Sequence, residues 1–307
     1  MNRMEIVFAG LGKMGLPMAR HLQHAQHVVV GVKPDAVRRA AATAAGIRVV
    51  ATLDDALSAG ATTGPGPSHA WTVCSSLPDD AALLDVARTL RDSAASISTW
   101  IDTSTVSPAA SAAAAALCAE RGIDALRAPV SGNAVMAAGA QLTVLASGPS
   151  AAYARCETLL ACWGPRRVYL GAGEQARTMK LVLNLMIAVT SGMLAEALTL
   201  GQRGGLAWET LWDTIAESAV GAPIVKAKAS ALRRRDYTPT FTVKQMRKDL
   251  ALILAAGAGL QVALPLTALV EKSLRTADAQ GDAALDYAAV IRVAERAAGL
   301  HGSEPHH

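Results

Sequence analysis

The stretch Met4-Glu-Ile-Val-Phe-Ala-Gly-Leu-Gly-Lys-Met-Gly15 decides the fold of this chain. An apolar run of strand length leads into the pattern Gly10-x-Gly12-x-x-Gly15, and a helical pattern follows over residues 14–24. In such a strand, turn and helix, the first glycine permits the tight turn, the second lets a pyrophosphate approach the backbone, and the third lets helix and strand pack closely. The N–H groups and the positive dipole end of the helix favour phosphate. We therefore predict a dinucleotide site made by Gly10, Leu11, Gly12, Lys13, Met14 and Gly15, the alternative being a glycine turn without a ligand.

Short β-rich runs alternate with helical patterns from this stretch to about residue 170. Strands are predicted at residues 6–9, 28–32, 48–50, 71–75, 97–102, 142–146 and 167–170. Helices are predicted at residues 14–24, 35–45, 79–91 and 108–121. Apolar strands separated by amphipathic helices indicate βαβ units. The pattern predicts an α/β Rossmann domain over residues 1–170, with a mostly parallel, doubly wound sheet.

The pattern becomes helical after Gly173 and stays so. One long helical pattern fills residues 174–203, and shorter ones follow at 207–218, 223–235, 241–258, 265–280 and 286–299. No strand-like alternation returns in this half of the sequence. We therefore predict an interdomain helix over residues 171–203, an all-helical C-terminal domain over 204–300, and a tail over 301–307.

Composition and charge exclude several classes of function. Hydrophobic residues make up 51% of the 307 residues and charged residues 18%, which is typical of a chain with a large core. The net charge of +4 is mild and the densest basic run covers only residues 233–235, so we expect no nucleic-acid partner. The apolar stretch near residues 181–195 is bounded or interrupted by Lys180, Asn184 and Glu196. We therefore expect no membrane span.

The cysteines point to an intracellular protein with reduced thiols. They show neither CxxC spacing nor companion histidines, so zinc and thiol-redox motifs are absent (Cys74, Cys118, Cys156 and Cys162). The first residues lack the charged, apolar and small-residue regions of a signal peptide. Both observations predict a cytoplasmic location.

The end of the second predicted strand bears on the choice between NAD and NADP. An NAD site usually places Asp or Glu there to accept hydrogen bonds from the ribose hydroxyls. Here the strand ends in Gly31-Val-Lys33 without an acid, and Arg38 and Arg39 follow one helical turn later. These cations could hold a 2′-phosphate, whereas Asp35 argues for NAD unless it belongs to the first turn of the next helix. The stretch favours NADP as the cofactor and leaves NAD open.

Catalysis must use residues other than histidine in the body of the chain. No histidine lies between residues 70 and 300, and the spacing of the other side chains predicts no metal site. Lys180 and Asn184 lie four residues apart on the predicted long helix, so they share one face. Beside the positive nicotinamide ring of an oxidised cofactor, a partly desolvated lysine has a lowered pKa and can exchange a proton with an alcohol oxygen. A lysine and asparagine pair that merely decorates the surface is the alternative.

The sequence resembles the β-hydroxyacid dehydrogenase family from Met4 to about Arg292, and most closely its glyoxylate/succinic semialdehyde reductase branch. The resemblance is carried by Gly10-Leu-Gly-Lys-Met-Gly-Leu-Pro-Met-Ala19, Ser76-Leu-Pro-Asp79, Asp102-Thr-Ser-Thr-Val-Ser-Pro108, Ala128-Pro-Val-Ser-Gly132, Met179-Lys-Leu-Val-Leu-Asn184 and Lys248-Asp-Leu250. It implies a Rossmann domain, a long interdomain helix and a helical domain through which the protein forms a homodimer or a higher homo-oligomer.

The resemblance also implies roles for particular residues. Lys180 is the implied catalytic acid and base. The implied substrate-binding residues are Ser131 and Gly132, which anchor a carboxylate, together with Asn184, Phe241, Asp249 and Asn133; Asn133 replaces a second glycine that is common in the family. The implied neighbours of the nicotinamide half of the cofactor are Leu77, Pro78, Thr105 and Lys248.

Three functions remain open at this stage. The first is hydride transfer between a nicotinamide and a small β-hydroxy acid or semialdehyde, with NADPH-dependent reduction as the expected direction. The second is imine reduction, against which Lys180 argues, because related imine reductases commonly lack this lysine. The third is a catalytically silent, dehydrogenase-like oligomerisation scaffold. The identity of the carboxylate substrate stays open in the sequence.

Overall fold

A computed structural model describes residues 3–58 and 70–300 of the chain. It divides into two compact units, Met1–Lys180 and Leu181–His307. The division falls inside one continuous helix, Gln175–Arg203, which occupies most of the predicted interdomain segment. The predicted tail over residues 301–307 lies outside the described residues.

The first unit is built on a parallel sheet of six strands. The strands are β1 (Glu5–Ala9), β2 (Val28–Val32), β3 (Arg48–Val50), β4 (Trp71–Ser75), β5 (Ile97–Asp102) and β6 (Asp124–Arg127). Their order in the sheet is β3-β2-β1-β4-β5-β6, and each neighbouring pair is parallel. The predicted Rossmann-type fold is confirmed, because this order reverses direction between β1 and β4, where such sheets bind their ligands.

Alternation along β1 shows why the sheet is covered on both faces. Ile6 and Phe8 lie in one apolar cluster, whereas Val7 and Ala9 lie in another, and all of these residues are buried. The helices that cover the faces are α1 (Gly15–His24), α2 (Ala36–Ala44), α3 (Leu53–Ser58), α4 (Asp80–Asp92) and α5 (Pro108–Ala119). A strand buried on both faces reads as a continuous apolar run, which is how β1 appears in the sequence.

A second, smaller sheet was not expected from the sequence. It contains β7 (Val130–Ser131), β8 (Thr143–Ala146) and β9 (Arg166–Tyr169) in the order β7-β8-β9, and β7 runs antiparallel to β8. The sequence predicts the last two strands but does not separate them from the main sheet. The intervening helices, α6 (Ala134–Ala138) and α7 (Ser150–Ala161), were also not predicted. β6 was missed because Asp-Ala-Leu-Arg has a single buried residue and no apolar run.

The second unit is helical throughout its described residues, which confirms the predicted change of fold class. It contains the greater part of α8 (Gln175–Arg203), then α9 (Trp208–Glu217), α10 (Pro223–Arg233), α11 (Val243–Gly259), α12 (Pro265–Ala277) and α13 (Val290–Ala297). Thr242 begins α11 with a capping box, since its side chain accepts from the Gln245 N–H and the Gln245 side chain accepts from the Thr242 N–H. The helix predicted to reach residue 280 is irregular beyond Ala277, where Gly281 adopts a φ of 92°.

On length and hydropathy alone, α8 could cross a membrane. The apolar stretch near residues 181–195 is only part of this helix. The whole helix has 29 residues and a mean hydropathy of 1.8 over its most apolar window. The central helix of a globular unit passes the same test. The buried face of α8 carries Asn184, Ser191 and Thr199, and the hydroxyls of the latter two donate to carbonyls of their own helix.

Candidate dinucleotide and catalytic site

Two of the three glycines in the 10–15 turn are required by the protein itself. Gly10 has a φ of +95°, and a Cβ at this position would lie 2.2 Å from the carbonyl oxygen of Ser76. A Cβ on Gly15 would lie 2.0 Å from the carbonyl oxygen of Gly10. Both positions therefore exclude a side chain, because β1, α1 and the turn after β4 approach too closely.

Gly12 differs, because a Cβ built on it would meet no atom within 4 Å. Nothing in the protein fold therefore requires glycine here, and the space beside Gly12 is open. Met14 makes no side-chain cap at the start of α1, and the first turn of this helix carries no acidic side chain. An uncapped helix N-terminus beside an open glycine fits a pyrophosphate. Lys13 is exposed at the same turn, whereas the Leu11 side chain is 4% exposed and packs over Gly31.

The residues after β2 separate into those that hold the backbone and those that remain at the surface. Asp35 is the N-cap of α2 and accepts from the Arg38 N–H at 2.7 Å, so its carboxylate serves the helix. Arg39 donates from Nη1 to the carbonyl oxygens of Lys33 and Pro34, at 3.1 and 2.5 Å. Arg39 was expected among the cations for a 2′-phosphate, but its guanidinium binds the backbone instead. Lys33 follows β2 and is half-buried, whereas Arg38 lies exposed on α2.

A buried hydrogen-bond network joins the ends of β4 and β5. Asp102 Oδ2 accepts from Ser75 Oγ at 2.5 Å and from Ser104 Oγ at 2.7 Å. Ser104 Oγ in turn accepts from the Leu77 N–H at 2.8 Å. Trp100 Nε1 donates to Ser75 Oγ at 2.9 Å, which completes the chain of contacts. The loops that carry Leu77, Pro78 and Thr105 are thus tied to one carboxylate.

Arg177 connects this network to α8. Its side chain is 2% exposed, and its Nη2 lies 2.6 Å from Asp102 Oδ1. Its Nη1 donates to the Ser104 carbonyl oxygen at 2.6 Å, and its Nε donates to Ser111 Oγ at 3.1 Å. One guanidinium therefore contacts β5, the loop after it and α5. Arg177 precedes Lys180 by three residues on α8, so the two residues lie about one turn apart.

The predicted carboxylate-binding segment begins with the last residue of β7. Ser131 is half-buried, and Gly132 has a φ of +140° with Leu142 Cδ2 only 2.6 Å from the position of a Cβ. Asn133 is the N-cap of α6, because its Oδ1 accepts from the Met136 N–H at 3.1 Å. The carbonyl oxygens at the other end of α6 lie 3.0 Å from His21 Nε2, which joins this segment to the dinucleotide helix α1.

The helical unit holds a second group of the predicted residues together. Asn184 is buried on α8 and donates from Nδ2 to Asp249 Oδ2 at 2.6 Å. The Asp249 side chain is 1% exposed, and its Oδ1 lies 3.1 Å from Lys248 Nζ. A carboxylate can only accept hydrogen bonds, so the nitrogen of the Asn184 amide must face Asp249. Asp249 therefore sets the orientation of this amide. Phe241 packs edge-to-face on Tyr287 within the apolar core of this unit.

Lys180 is half-buried on the second turn of α8. The residues predicted for the cofactor lie in the first unit together with Lys180, except Lys248. Asn184, Phe241, Lys248 and Asp249 belong to the second unit. Lys180 and Asn184 share one face of α8, because they are four residues apart on a continuous helix.

Alternative nucleophiles and metal ligands find no support among the described residues. No group of three or more histidine, cysteine and carboxylate side chains there could hold a metal ion. Burial raises the pKa of Cys118 to about 12 and that of Cys156 to about 11, and the pKa of Cys74 is also raised by burial. These thiols are therefore protonated at neutral pH and unsuited to nucleophilic catalysis.

Sequence reasoning did not assign a role to Asp102, Ser104 or Arg177. Asp102 and Ser104 were present in a quoted motif, and an acid at the end of an apolar strand is an available signal. Arg177 gave no comparable signal, because an arginine near the start of a helix usually lies in solvent. Its burial depends on a partner 75 residues away.

Family profiles match both parts of the chain. Residues 5–171 match the profile described as the NAD binding domain of 6-phosphogluconate dehydrogenase. Residues 171–294 match the profile described as the NAD-binding domain of NADP-dependent 3-hydroxyisobutyrate dehydrogenase. The chain belongs to the β-hydroxyacid dehydrogenase family. The predicted NAD(P)-binding Rossmann domain and the predicted family are both confirmed.

Two relatives match this β-hydroxyacid dehydrogenase over nearly the whole length of both chains, and a third matches over a shorter part. Glyoxylate/succinic semialdehyde reductase 1 of Arabidopsis thaliana is 27% identical over 94% of this chain and 97% of its own length. A probable 3-hydroxyisobutyrate dehydrogenase of Mycobacterium tuberculosis is 28% identical over 93% of this chain and 96% of its own length. L-threonate dehydrogenase of Cupriavidus necator is 33% identical, but this match spans only 63% of this chain and 65% of that enzyme.

Structural comparison favours the same assignment. The 3-hydroxyisobutyrate dehydrogenase of Mycobacterium tuberculosis, solved with L-serine, superposes with a TM-score of 0.83 at 28% identity, over 95% of this chain and 99% of that one. An imine reductase from Pseudomonas sp. reaches a TM-score of 0.60 at 20% identity, which shows the shared fold alone. Like its relatives, this β-hydroxyacid dehydrogenase is an NAD(P)-dependent oxidoreductase of small hydroxy acids, and neither the imine reductase nor the silent scaffold is favoured.

Proposed function

We propose that this dehydrogenase is an NADPH-dependent reductase of a small aldehyde acid, with Lys180 as its catalytic acid. The observation that carries the proposal is the placement of Lys180 on α8. It lies three residues after a buried arginine that is tied to the predicted nicotinamide loops, and it shares a helix face with Asn184. Among the described residues, no group of three or more histidine, cysteine and carboxylate side chains could hold a metal ion.

When bound, the nicotinamide would supply a hydride to the carbonyl carbon of the substrate. As the carbon–oxygen double bond becomes a single bond, negative charge grows on the oxygen, and the Lys180 ammonium donates a proton to it. Lys180 is then a neutral amine, which solvent reprotonates. In the oxidative direction the neutral amine accepts the proton of the alcohol. Partial burial of Lys180 keeps the ammonium from being fully hydrated and strengthens its interaction with the developing charge.

Substrate recognition is proposed to use the segment that begins with the last residue of β7. The Ser131 hydroxyl and the Gly132 N–H can donate to a carboxylate, and Gly132 adopts a backbone conformation that other residues rarely reach. Asn133 supports this segment from its own side chain by capping α6. We therefore assign Ser131 and Gly132 to direct contact, and Asn133 to holding the turn.

Asn184, Asp249 and Lys248 are proposed to act as one polar group, joined by a hydrogen bond and an ion pair. Asp249 receives the amide of Asn184 on one oxygen and the ammonium of Lys248 near the other. With its nitrogen directed at Asp249, the Asn184 amide offers its oxygen as an acceptor for a substrate hydroxyl or an ammonium. Phe241 packs on Tyr287 in the same unit, and the substrate contact implied for it stays a prediction.

The preference for NADP is proposed to come from Lys33 and Arg38. Asp35 caps α2 and Arg39 binds backbone carbonyls, so neither is placed to select a ribose hydroxyl or a phosphate. Replacing Lys33 and Arg38 together by alanine should weaken NADPH binding by about 10- to 100-fold, since two charge-assisted contacts to phosphate are lost. NADH binding should change less than threefold. Fluorescence titration with both cofactors measures the ratio, and equal weakening of both would remove these residues from 2′-phosphate recognition.

A substrate panel tests the proposed activity directly. Purified protein is assayed with NADPH and NADH against glyoxylate, succinic semialdehyde and a cyclic imine, and with NADP⁺ and NAD⁺ against 3-hydroxyisobutyrate and L-threonate. The expected result is turnover of at least one aldehyde acid with NADPH preferred. Turnover of cyclic imines in the absence of any hydroxy-acid activity would support the imine reductase instead. Cofactor binding without turnover of any compound would support the scaffold.

A homodimer is proposed to form through α8. Its outward face carries apolar side chains at spacings of four and seven residues, and Val182, Met186, Met193 and Leu200 are 45%, 60%, 50% and 76% exposed. A long exposed stripe with this period is typical of a helix that packs on a second helix, and a second copy offers the same stripe by twofold symmetry. The double substitution Met186→Glu and Met193→Glu should convert the dimer to a monomer in light-scattering measurements. The exposed Val37, changed to Glu in the first unit, serves as the control.

A cytoplasmic location is proposed from the state of the cysteines. All four are free, and Cys74, Cys118 and Cys156 are buried. Free thiols are typical of reducing compartments.

A further inference from the structure

The Asp102–Arg177 ion pair has no part in the chemistry proposed above, although it is among the most deeply buried polar groups of the first unit. The side chains of Arg177 and Asp102 are 2% and 4% exposed. Replacement of a buried ion pair by apolar residues of similar volume is often neutral or stabilising. Stability alone therefore does not explain why this position holds two charges, and the geometry that the pair imposes offers a better explanation.

Each end of the pair controls a different part of the site. Asp102 accepts from Ser75 and Ser104, and the Ser104 hydroxyl accepts from the Leu77 N–H, so the carboxylate fixes the loops that follow β4 and β5. Arg177 lies on α8, where its planar guanidinium binds Asp102, the Ser104 carbonyl and Ser111 at once. Three acceptors in fixed directions determine both the rotation and the axial position of a helix, whereas an apolar side chain would permit sliding.

We propose that Arg177 and Asp102 are positioning residues that set Lys180 against the nicotinamide loops. This inference rests on the proposed role of Lys180. About one helical turn separates Arg177 from Lys180. Any sliding of α8 along its axis therefore moves the Lys180 ammonium by the same distance. A displacement of about 1 Å far from the reacting atoms can lower the rate by 10²-fold. The pair therefore acts on the rate through Lys180, without contacting the substrate.

The test compares Arg177→Lys, Arg177→Met and Ser104→Ala with Arg235→Lys. Arg235 forms a comparable ion pair with the buried Glu295 in the helical unit, at 2.9 Å, and its loss controls for lower stability. Ser104→Ala removes one hydroxyl from the network and keeps the ion pair, so it provides a readout if the Arg177 variants fold poorly. All variants are assayed well below their own Tm, with NADPH and the panel substrate of highest kcat/KM.

We expect kcat to fall by about 10- to 100-fold in Arg177→Met. The fall should be smaller in Arg177→Lys, which keeps the positive charge but loses the planar set of guanidinium donors. Ser104→Ala should lower kcat by a few-fold. The Kd of NADPH should change less than threefold in each. The deuterium isotope effect on kcat, with NADPH labelled at the transferred C4 position, should rise as hydride transfer becomes slower. A variant that only contained less folded enzyme would show lower kcat with an unchanged isotope effect.

The fluorescence of saturating bound NADPH provides a readout that does not depend on turnover. Because it reports the surroundings of the nicotinamide, we expect its intensity to change in the Arg177 and Ser104 variants and to match wild type in Arg235→Lys. Unchanged isotope effects and unchanged bound-cofactor fluorescence in the Arg177 variants and in Ser104→Ala would overturn the inference. Full activity in Lys180→Ala would instead overturn the proposed function, whatever the Arg177 variants do.

Discussion

Replacing Lys180 by alanine is expected to lower kcat by at least about 100-fold, because general acid catalysis by a positioned side chain contributes typically 10²–10⁴-fold. Lys180 is half-buried on α8. The proposed mechanism uses no other side chain to donate the proton to the substrate oxygen. The Kd of NADPH should stay within threefold of wild type, since the proposed pyrophosphate turn lies at residues 10–15. Steady-state kinetics with the best panel substrate and fluorescence titration of NADPH measure the two quantities.

Two further variants sharpen this experiment. Lys180→Met keeps the approximate length of the side chain and removes the amine that carries the proton, so it should be as inactive as the alanine variant. If Lys180 had only a structural role, Lys180→Met would recover part of the activity. The exposed Lys226→Ala on α10 is the control for the loss of a positive charge and should have wild-type kcat. If Lys180→Ala retained its activity, the lysine mechanism would be wrong and the imine-reductase interpretation would regain support.

Replacing Gly12 by alanine is expected to weaken NADPH binding by about 10-fold or more while leaving the free energy of unfolding nearly unchanged. A Cβ on Gly12 meets no protein atom within 4 Å, so the folded protein accommodates it. With cofactor bound, the same methyl group enters the space that the pyrophosphate needs, and overpacking of a filled site costs about 1–3 kcal/mol. Thermal unfolding with and without NADPH separates the two effects.

Gly10→Ala is the matched comparison within the same turn. Its Cβ would lie 2.2 Å from the Ser76 carbonyl oxygen, and the φ of +95° is unfavourable for alanine. This variant should lose stability even without cofactor, so its Tm should fall in the absence of NADPH. If Gly12→Ala instead bound NADPH as tightly as wild type, the proposed pyrophosphate position would be wrong. If both variants lost stability equally, the open space beside Gly12 would not be a ligand site.

The order of strands shows how far local patterns can predict the fold. β1, β2, β4 and β5 were located to within a residue, because a strand buried on both faces must be a continuous apolar run. β6 and the short β7 escaped notice, since Asp124–Arg127 has one buried residue and Val130–Ser131 has only two residues. The separation of β8 and β9 into a second sheet depends on pairing between distant segments, which periodicity does not encode.

The candidate site shows the same division between local and distant interactions. Sequence motifs alone indicated the Gly10–Gly15 turn, Lys180 and Asn184, because glycine conformation and helical spacing are local properties. Asp35 shows the limit, since its side chain had two competing explanations and only the structure makes it the N-cap of α2.

By itself the sequence determined the change from an α/β to a helical pattern, and it predicted the dinucleotide turn and a lysine for acid–base chemistry. Only the tertiary structure decided that Arg177 is buried against Asp102, that Asp249 orients Asn184, and that Gly12 alone of the three glycines in this turn faces open space. The physical reason is that burial and hydrogen-bond partners depend on residues far apart in the chain, whereas turn conformation and helix periodicity depend on neighbours.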